Sequence, residues 1–196
     1  MPVNLPNLIT LSRLLMTGVF VVAASVGGPA GHVTALVMFV MAATSDWLDG
    51  WLARRLGLVT PLGKLLDPLA DKILVCAGFV FFTAAGLCPL WVTALIIGRE
   101  FLVTGLRQIA VEAGQVLAAD YLGKWKTGVQ LGFCISALVW LTLSDVAHPN
   151  EFVRLLRVLV NPDWWPLPLT LWISVALTVV SGFNYLWSSR NLLRGA

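Results

Sequence analysis

Charged residues are scarce in this sequence. Only 12% of its 196 residues are charged, while 58% are hydrophobic and the mean hydropathy is +0.85. A soluble domain carries about 25% charged residues, so this chain has too few charges to cover a water-facing surface. The composition excludes a disordered chain, a secreted disulfide scaffold and an ordinary cytosolic enzyme. We expect much of the exterior to face lipid.

Cysteine and histidine are also rare. Three cysteines, Cys76, Cys88 and Cys134, lie in or beside apolar runs, and no CxxC motif or Cys/His cluster accompanies them. The two histidines, His32 and His148, lie far from every pair of carboxylates in the sequence. A soft-metal or redox centre therefore has little support. The first apolar run lacks a basic segment before it, so we expect a retained span rather than a signal peptide.

Six apolar runs are long enough, or nearly so, to cross the hydrocarbon core as helices, which takes about 20 residues. They are approximately Leu8–Val26, Val33–Leu52, Leu69–Ala85, Leu90–Val111, Thr127–Leu143 and Leu167–Leu186. The expected fold is an all-α integral membrane protein, a six-transmembrane-helix bundle in a single domain over residues 1–196. Between the last two runs, Glu151–Val160 predicts a helix lying in the interface, and Trp164 and Trp165 are expected at headgroup depth.

Basic residues predict the orientation of this bundle. With a cytoplasmic N-terminus, the cytoplasmic ends and loops hold ten basic residues and the opposite side holds two, Arg154 and Arg157. The ten are Arg13, Arg54, Arg55, Lys64, Lys72, Arg107, Lys124, Lys126, Arg190 and Arg194. By the positive-inside rule both termini are expected in the cytoplasm.

Acidic residues are concentrated in one place. Asp46, Asp49, Asp67 and Asp71, four of the ten acids, fall within 26 positions near the cytoplasmic ends of the second and third runs. A lone charge at the bilayer centre costs roughly 3 kcal/mol or more, so these acids need positive partners. Helical spacing gives Asp46 and Asp49 one face, and Asp67 and Asp71 another if that stretch is helical. Pro68 either kinks this helix or begins it, with Asp67 as the N-cap.

Two interpretations of the four aspartates are open. Arg54, Arg55, Lys64 and Lys72 could form a purely structural salt-bridge network with them. Small residues on the same faces, Gly50, Ala53 and Gly63, instead favour a space cleared for a bulky ligand. Ligand sets made only of oxygen select Mg²⁺ or Mn²⁺, and two such ions suit in-line phosphoryl displacement.

The complete pattern D-x2-D-G-x2-A-R-x8-G-x3-D-x3-D comprises Asp46, Asp49, Gly50, Ala53, Arg54, Gly63, Asp67 and Asp71. It resembles, at all eight fixed positions, the signature of the CDP-alcohol phosphatidyltransferase family. The resemblance implies a CDP-linked lipid donor, release of CMP, and two divalent ions, Mg²⁺ or Mn²⁺, held by the four aspartates. It also implies that Asp71 is the catalytic base and that Gly50, Ala53, Arg54 and Gly63 make room for and bind the donor. With no histidine on the cytoplasmic side, a carboxylate is the only plausible base.

Four basic residues, Arg99, Arg107, Lys124 and Lys126, follow in the fourth and fifth runs. One interpretation pairs Arg99 with Glu100 and treats both lysines as membrane anchors. The other is a basic pocket for a phosphate on the acceptor alcohol. These stretches, and an N-terminal segment that would bring Thr10 and Arg13 near the nucleotide, resemble family members whose acceptor is glycerol 3-phosphate.

The resemblance thus implies an enzyme, a phosphotransferase of phospholipid biosynthesis, that transfers a phosphatidyl group from CDP-diacylglycerol to glycerol 3-phosphate in the bacterial cytoplasmic membrane. Alternative acceptors are inositol phosphate and phosphatidylglycerol, and the alternative class is a six-span transporter. Besides these substrates and membrane lipid, a homodimer is left open, and no nucleic-acid partner is expected.

Overall fold

The computed structural model describes residues 5–56, 61–112 and 121–190, with side chains described at 10–45, 70, 72–111 and 123–190. Within these residues the chain is helical and has no strand, which confirms the all-α prediction. The helices are α1 (Leu5–Val26), α2 (Gly28–Leu56), α3 (Pro61–Ala84), α4 (Leu90–Glu112), α5 (Tyr121–Ser144), α6 (Glu151–Leu159) and α7 (Pro166–Ser188).

Each of the six predicted runs lies within, or within one residue of, a long helix of the described chain. By length and composition, three stretches could cross a membrane: Gly28–Ser45, Gly123–Ser144 and Pro166–Ser188. Two shorter apolar stretches, Thr10–Val26 and Lys72–Ala84, belong to α1 and α3. Charged residues interrupt the apolar sequence of α4. The described chain therefore has the helices of a membrane protein, three of which meet the requirements of a span.

The connection between α1 and α2 is a single residue, Gly27, where the run Gly27-Gly28-Pro29 predicts a three-residue turn. Gly27 and Gly28 both have positive φ angles, +67° and +72°, which glycine adopts without steric cost. The next turn brings α2 against α1 so closely that a Cβ atom on Gly31 would lie 2.7 Å from the carbonyl oxygen of Ala23. Glycine at these positions allows the two helices to form a tight hairpin.

Helix α3 begins at Pro61 and continues without interruption past Pro68. The alternative in which Pro68 begins the helix and Asp67 caps it is therefore wrong. An interior proline removes one backbone hydrogen bond, and membrane helices tolerate this where neighbouring groups satisfy the freed carbonyl. The continuous helix places Gly63, Asp67 and Asp71 at successive i, i+4 positions, which satisfies the condition for Asp67 and Asp71 to share a face.

The long helices contact one another in a ring, in the order α1, α3, α4, α7, α5 and α2, and α3 also contacts α5 across it. Phenylalanines fill the middle. Phe20 and Phe39 meet edge to face with ring centroids 5.2 Å apart, and Phe133 stacks on Phe79 at 5.5 Å. All four are at most 1% exposed. The exposed side chains of the long helices include many large apolar ones, as expected for a lipid-facing surface.

The end of the bundle opposite the aspartate-bearing segments is held by polar contacts. The Nδ1 atom of His32, at the start of α2, lies 2.6 Å from a carboxylate oxygen of Asp145, just after α5. Arg157 of α6 donates to the carbonyl oxygen of Leu143, in the last turn of α5, and to that of Val146, just after this helix. Thus Arg157 ties α6 to α5. The predicted helix over Glu151–Val160 is confirmed, ending at Leu159, and its location in the membrane interface stays a prediction.

Gly78 provides a test of this packing. A Cβ atom there would lie 3.2 Å from the ring of Phe39 and 3.5 Å from the Sγ atom of Cys134. We expect Gly78→Leu to destabilise the bundle by about 1–3 kcal/mol through overpacking, seen as a lower thermal unfolding midpoint in detergent. Gly132→Leu on α5, where a Cβ meets nothing within 4 Å, is the matched control. Equal midpoints for the two variants would contradict the packing described here.

Candidate active site

The aspartate signature lies on two consecutive helices. Five of its positions are in the last eleven residues of α2 and three are in the first eleven of α3. Their side chains lie outside the described residues, so the ligand set of Asp46, Asp49, Asp67 and Asp71 stays a prediction, as do the donor contacts of Gly50, Ala53, Arg54 and Gly63. Among the described side chains, no three histidine, cysteine, aspartate or glutamate residues come together as metal ligands.

Thr10 and Arg13, the two predicted nucleotide contacts on α1, are both 1% exposed and therefore face the inside of the bundle. Thr10 precedes the Gly27 turn by 17 residues and Asp46 follows it by 19. At about 1.5 Å per residue, both positions lie roughly 25–28 Å from the turn along antiparallel helices. The hairpin therefore brings the start of α1 and the aspartate segment of α2 to the same end. Their predicted contacts with a nucleotide stay predictions.

A cluster of buried charges joins α4 to α5. One oxygen of the Glu100 carboxylate accepts hydrogen bonds from the ammonium of Lys126 and from Arg99, the latter at 3.3 Å. The side chain of Lys126 is 2% exposed, and those of Arg99 and Glu100 are 11% and 12% exposed. The ion pair that the sequence offered as an alternative for Arg99 is thus present. A single carboxylate facing two cations still leaves positive charge in excess.

Arg107 joins this group through α7. Its Nη2 atom donates to the hydroxyl of Tyr185, and its guanidinium lies 5.2 Å from the centre of the tyrosine ring. The guanidinium of Arg99 lies 5.8 Å from the same ring. Arg99, Glu100, Arg107 and Lys126 are called the cationic cluster below. The structure therefore brings together three of the four residues predicted to bind the acceptor phosphate.

The fourth residue, Lys124, is exposed, while Lys126 is buried. Two residues apart on a helix, their side chains point about 200° apart around the axis, so only one of them can face the cluster. Lys124 stays a predicted phosphate contact, and its exposure agrees equally with a role as a membrane anchor.

The cationic cluster borders the helix that carries Asp71. Helix α3 contacts both α4 and α5. Lys72, the next residue after Asp71, is near enough to Lys126 for their charges to interact, and Cys76 one turn later is within electrostatic reach of Glu100. The cluster is therefore within electrostatic range of the turn of α3 that follows the aspartate segment.

Comparisons with known proteins add a decisive observation. The model of the CDP-alcohol phosphatidyltransferase family matches residues 3–181 of the chain. The chain belongs to this family. Membership confirms the family expected from the aspartate signature and, with it, the prediction of a transferase of phospholipid metabolism.

Individual relatives of this transferase are bacterial. The chain is 40% identical over 195 residues to a CDP-diacylglycerol–glycerol-3-phosphate 3-phosphatidyltransferase of Bacillus subtilis, with 93% of each chain covered. It is 35% identical to a protein of the same name from Pseudomonas fluorescens, over 98% of this chain and 90% of the relative. A probable phosphatidylglycerophosphate synthase of Mycobacterium tuberculosis is 42% identical, over 93% of this chain and 79% of the relative.

The contribution of α7 to the cationic cluster was not predicted from the sequence. Ser174, Thr178, Ser181 and Tyr185 recur at intervals of four, three and four residues, which puts them on one helix face, and all are at most 4% exposed. These four residues are called the α7 polar face below. Ser181 accepts a hydrogen bond from Arg99 at 3.0 Å, and Thr178 accepts one from Gln130 of α5 at 3.2 Å. The recurrence of polar residues at helical spacing within an otherwise apolar run is the signal from which this face could have been predicted.

The shared carboxylate generates a stability prediction. Glu100→Gln leaves Arg99 and Lys126 together without their negative partner, whereas Lys126→Met leaves Glu100 paired with Arg99. Breaking a buried ion pair from one side costs about 3–5 kcal/mol, so Glu100→Gln should lower the thermal unfolding midpoint in detergent well below that of Lys126→Met. Glu151→Gln, in the exposed pair with Arg154, is the control and should match the wild type. A Glu100→Gln variant as stable as that control would contradict the electrostatic role given to Glu100.

Proposed function

We propose that this protein transfers the phosphatidyl group of CDP-diacylglycerol to the hydroxyl of glycerol 3-phosphate, producing phosphatidylglycerophosphate and CMP. The observation that carries the proposal is the match to the family over residues 3–181, with the eight-position aspartate signature complete. Relatives at 35% and 40% identity that are named for this reaction support the choice of acceptor.

The predicted topology fits a lipid donor and a soluble acceptor. We propose six membrane spans with both termini in the cytoplasm, in the bacterial cytoplasmic membrane. The long helices, the single-residue hairpin turn and the excess of basic residues at one end support this arrangement. The signature segments of α2 and α3 then open to the cytoplasm, where the acceptor is dissolved.

The donor set of the four aspartates fits divalent cations. It consists of carboxylate oxygens alone, the ligands that Mg²⁺ and Mn²⁺ prefer, and it comes from two consecutive helices that contact each other. Two ions bound there would neutralise the donor pyrophosphate and polarise the phosphorus under attack. Asp46, Asp49, Asp67 and Asp71 are the residues we propose to hold them.

Asp71 is the proposed general base. Its carboxylate takes the proton of the acceptor hydroxyl as the acceptor oxygen forms a bond to the phosphorus that carries diacylglycerol. The bond from that phosphorus to the bridging oxygen breaks, and CMP leaves with this oxygen. Thr10, Arg13, Arg54 and the small residues Gly50, Ala53 and Gly63 are proposed to accommodate and bind the nucleotide end of the donor.

The cationic cluster is proposed to bind the phosphate of the acceptor. Arg99, Arg107 and Lys126 carry three positive charges against the one negative charge of Glu100, and the group lies beside the turn of α3 that follows Asp71. A phosphate monoester carries close to two negative charges near neutral pH and would balance the excess. This balance favours glycerol 3-phosphate or inositol phosphate over an uncharged alcohol, and the names of the relatives favour the former.

The reaction itself is tested by following CMP release from purified protein with CDP-diacylglycerol, glycerol 3-phosphate and Mg²⁺. EDTA should abolish release, and added Mg²⁺ or Mn²⁺ should restore it. Asp71→Asn should lower kcat by at least about 10²-fold because the proton acceptor is lost. Asp163→Asn changes an exposed aspartate between α6 and α7. It is the matched control and should retain wild-type activity. Full activity in excess EDTA, or in Asp71→Asn, would refute the mechanism.

Arg107→Ala tests the acceptor site. A charge-assisted hydrogen bond contributes about 1.5–3 kcal/mol, so loss of this guanidinium should raise the KM for glycerol 3-phosphate roughly 10- to 100-fold. The KM for CDP-diacylglycerol should hardly change. Arg154→Ala, a solvent-exposed arginine of α6, serves as the control. If Arg107→Ala has a normal acceptor KM, or the wild type prefers an unphosphorylated alcohol, the proposed acceptor is wrong, while membership of the family still stands.

A further inference from the structure

The α7 polar face divides into two parts with different partners. In its first half, the hydroxyl of Ser174 donates to the carbonyl of Leu171, within α7 itself, and Thr178 accepts from Gln130. In its second half, Ser181 and Tyr185 contact the arginines of α4. Buried polar groups in membrane helices commonly join helices or serve function. The second half is the part that touches the proposed acceptor site.

Tyr185 contacts both arginines. The centre of its ring is 5.8 Å from the guanidinium of Arg99 and 5.2 Å from that of Arg107, both within the range of about 6 Å for cation–π attraction. Its hydroxyl accepts a hydrogen bond from Arg107, while Ser181 accepts one from Arg99 at 3.0 Å. Each guanidinium is thus fixed by a hydroxyl and by the same aromatic ring.

Gly182 leaves room for this arrangement. A Cβ atom at this position would lie 3.2 Å from the Cγ atom of Arg99, closer than ordinary van der Waals contact. The stem of Arg99 therefore passes directly over the backbone of α7 on its way to Ser181. A larger residue at position 182 would push that stem aside.

We propose that Ser181, Gly182 and Tyr185 are positioning residues that hold Arg99 and Arg107 as a prearranged pair for one phosphate monoester. This inference rests on the proposed function and deepens it. Arginine has many rotamers, and a ligand that meets arginines already in place does not bear the cost of ordering them. Two guanidiniums held at the same ring suit a terminal phosphate with two charges, as in glycerol 3-phosphate. A phosphodiester with one charge, as in phosphatidylglycerol, gains less from the second arginine.

The test separates the hydroxyl of Tyr185 from its ring. Tyr185→Phe keeps the ring and removes the acceptor of the Arg107 hydrogen bond, and Tyr185→Leu removes both. Ser181→Ala removes the hydroxyl that accepts from Arg99, which keeps its contact with Glu100. Ser174→Ala is the matched control, because it deletes an equally buried hydroxyl of the same helix whose hydrogen bond stays within α7. The KM for each substrate and kcat are measured from CMP release, with the unfolding midpoint of every variant recorded.

We expect Tyr185→Phe and Ser181→Ala to raise the KM for glycerol 3-phosphate about 3- to 10-fold, the range for one lost hydrogen bond. Tyr185→Leu should raise it about 10- to 100-fold, since the cation–π contacts are lost as well. The KM for CDP-diacylglycerol and kcat should stay within about twofold of the wild type. Ser174→Ala should match the wild type in every constant.

A purely structural role for these residues would give a different pattern. Unchanged acceptor KM in Tyr185→Phe and Ser181→Ala, or equal rises in both KM values, would overturn the inference while leaving the proposed function intact. A wild-type protein that releases no CMP with glycerol 3-phosphate would refute the proposed function and this inference with it. If Tyr185→Leu does not fold, the two near-isosteric variants decide the outcome, since each changes only one hydroxyl.

Discussion

The carboxylate of Glu100 is the negative charge around which the described interior of the bundle is organised. An ammonium as buried as that of Lys126 is costly to remove from water unless a counter-charge accepts its hydrogen bonds. Glu100 supplies this counter-charge and also accepts from Arg99, so one side chain of α4 ties that helix to α5 directly and to α7 through Arg99 and Ser181. Because two cations, Lys126 and Arg99, contact this one anion, the same contacts that stabilise the bundle leave excess positive charge beside α4. An anionic ligand bound beside these residues would balance the excess positive charge.

In a membrane helix bundle the exterior is as apolar as the interior. Apolar side chains cover the outside, so burial of apolar surface does little to bring the helices together, and close packing and polar contacts take over. Both are visible here. Gly31 and Gly78 allow close approach of neighbouring elements, and the α7 polar face meets Gln130 and Arg99. The departure of α4 from an apolar composition is explained in the same way, because Arg99 and Glu100 face helices rather than lipid.

The positions of the long helices and the family were predictable from the sequence, because apolar length and the aspartate spacing are both local patterns. Helix boundaries were less so. The hydropathy of α2 falls before that helix ends, and α3 begins before its apolar run does, since Asp46 and Asp67 are polar residues inside helices. The chain also turns at Gly27 in fewer residues than the run Gly27-Gly28-Pro29 suggested. The contacts of Tyr185 with Arg99 and Arg107 could not be foreseen, because they join residues 78 or more positions apart. Likewise, the pair of His32 and Asp145 spans 113 positions, so no local pattern indicates it.

The one-residue turn at Gly27 fixes a relation between two distant parts of the chain. Helices α1 and α2 leave this turn in opposite directions, and Thr10 and Asp46 lie at nearly equal path lengths from it. The turn is one residue long, so a residue inserted into the first turn of α2 would rotate the rest of that helix by about 100° and shift it by about 1.5 Å relative to α1. The positions of Asp46 and Asp49 would then face a different direction relative to Thr10 and Arg13 on α1. The angular register between the first helix and the first two aspartates is thus set by two glycines at the far side of the bundle.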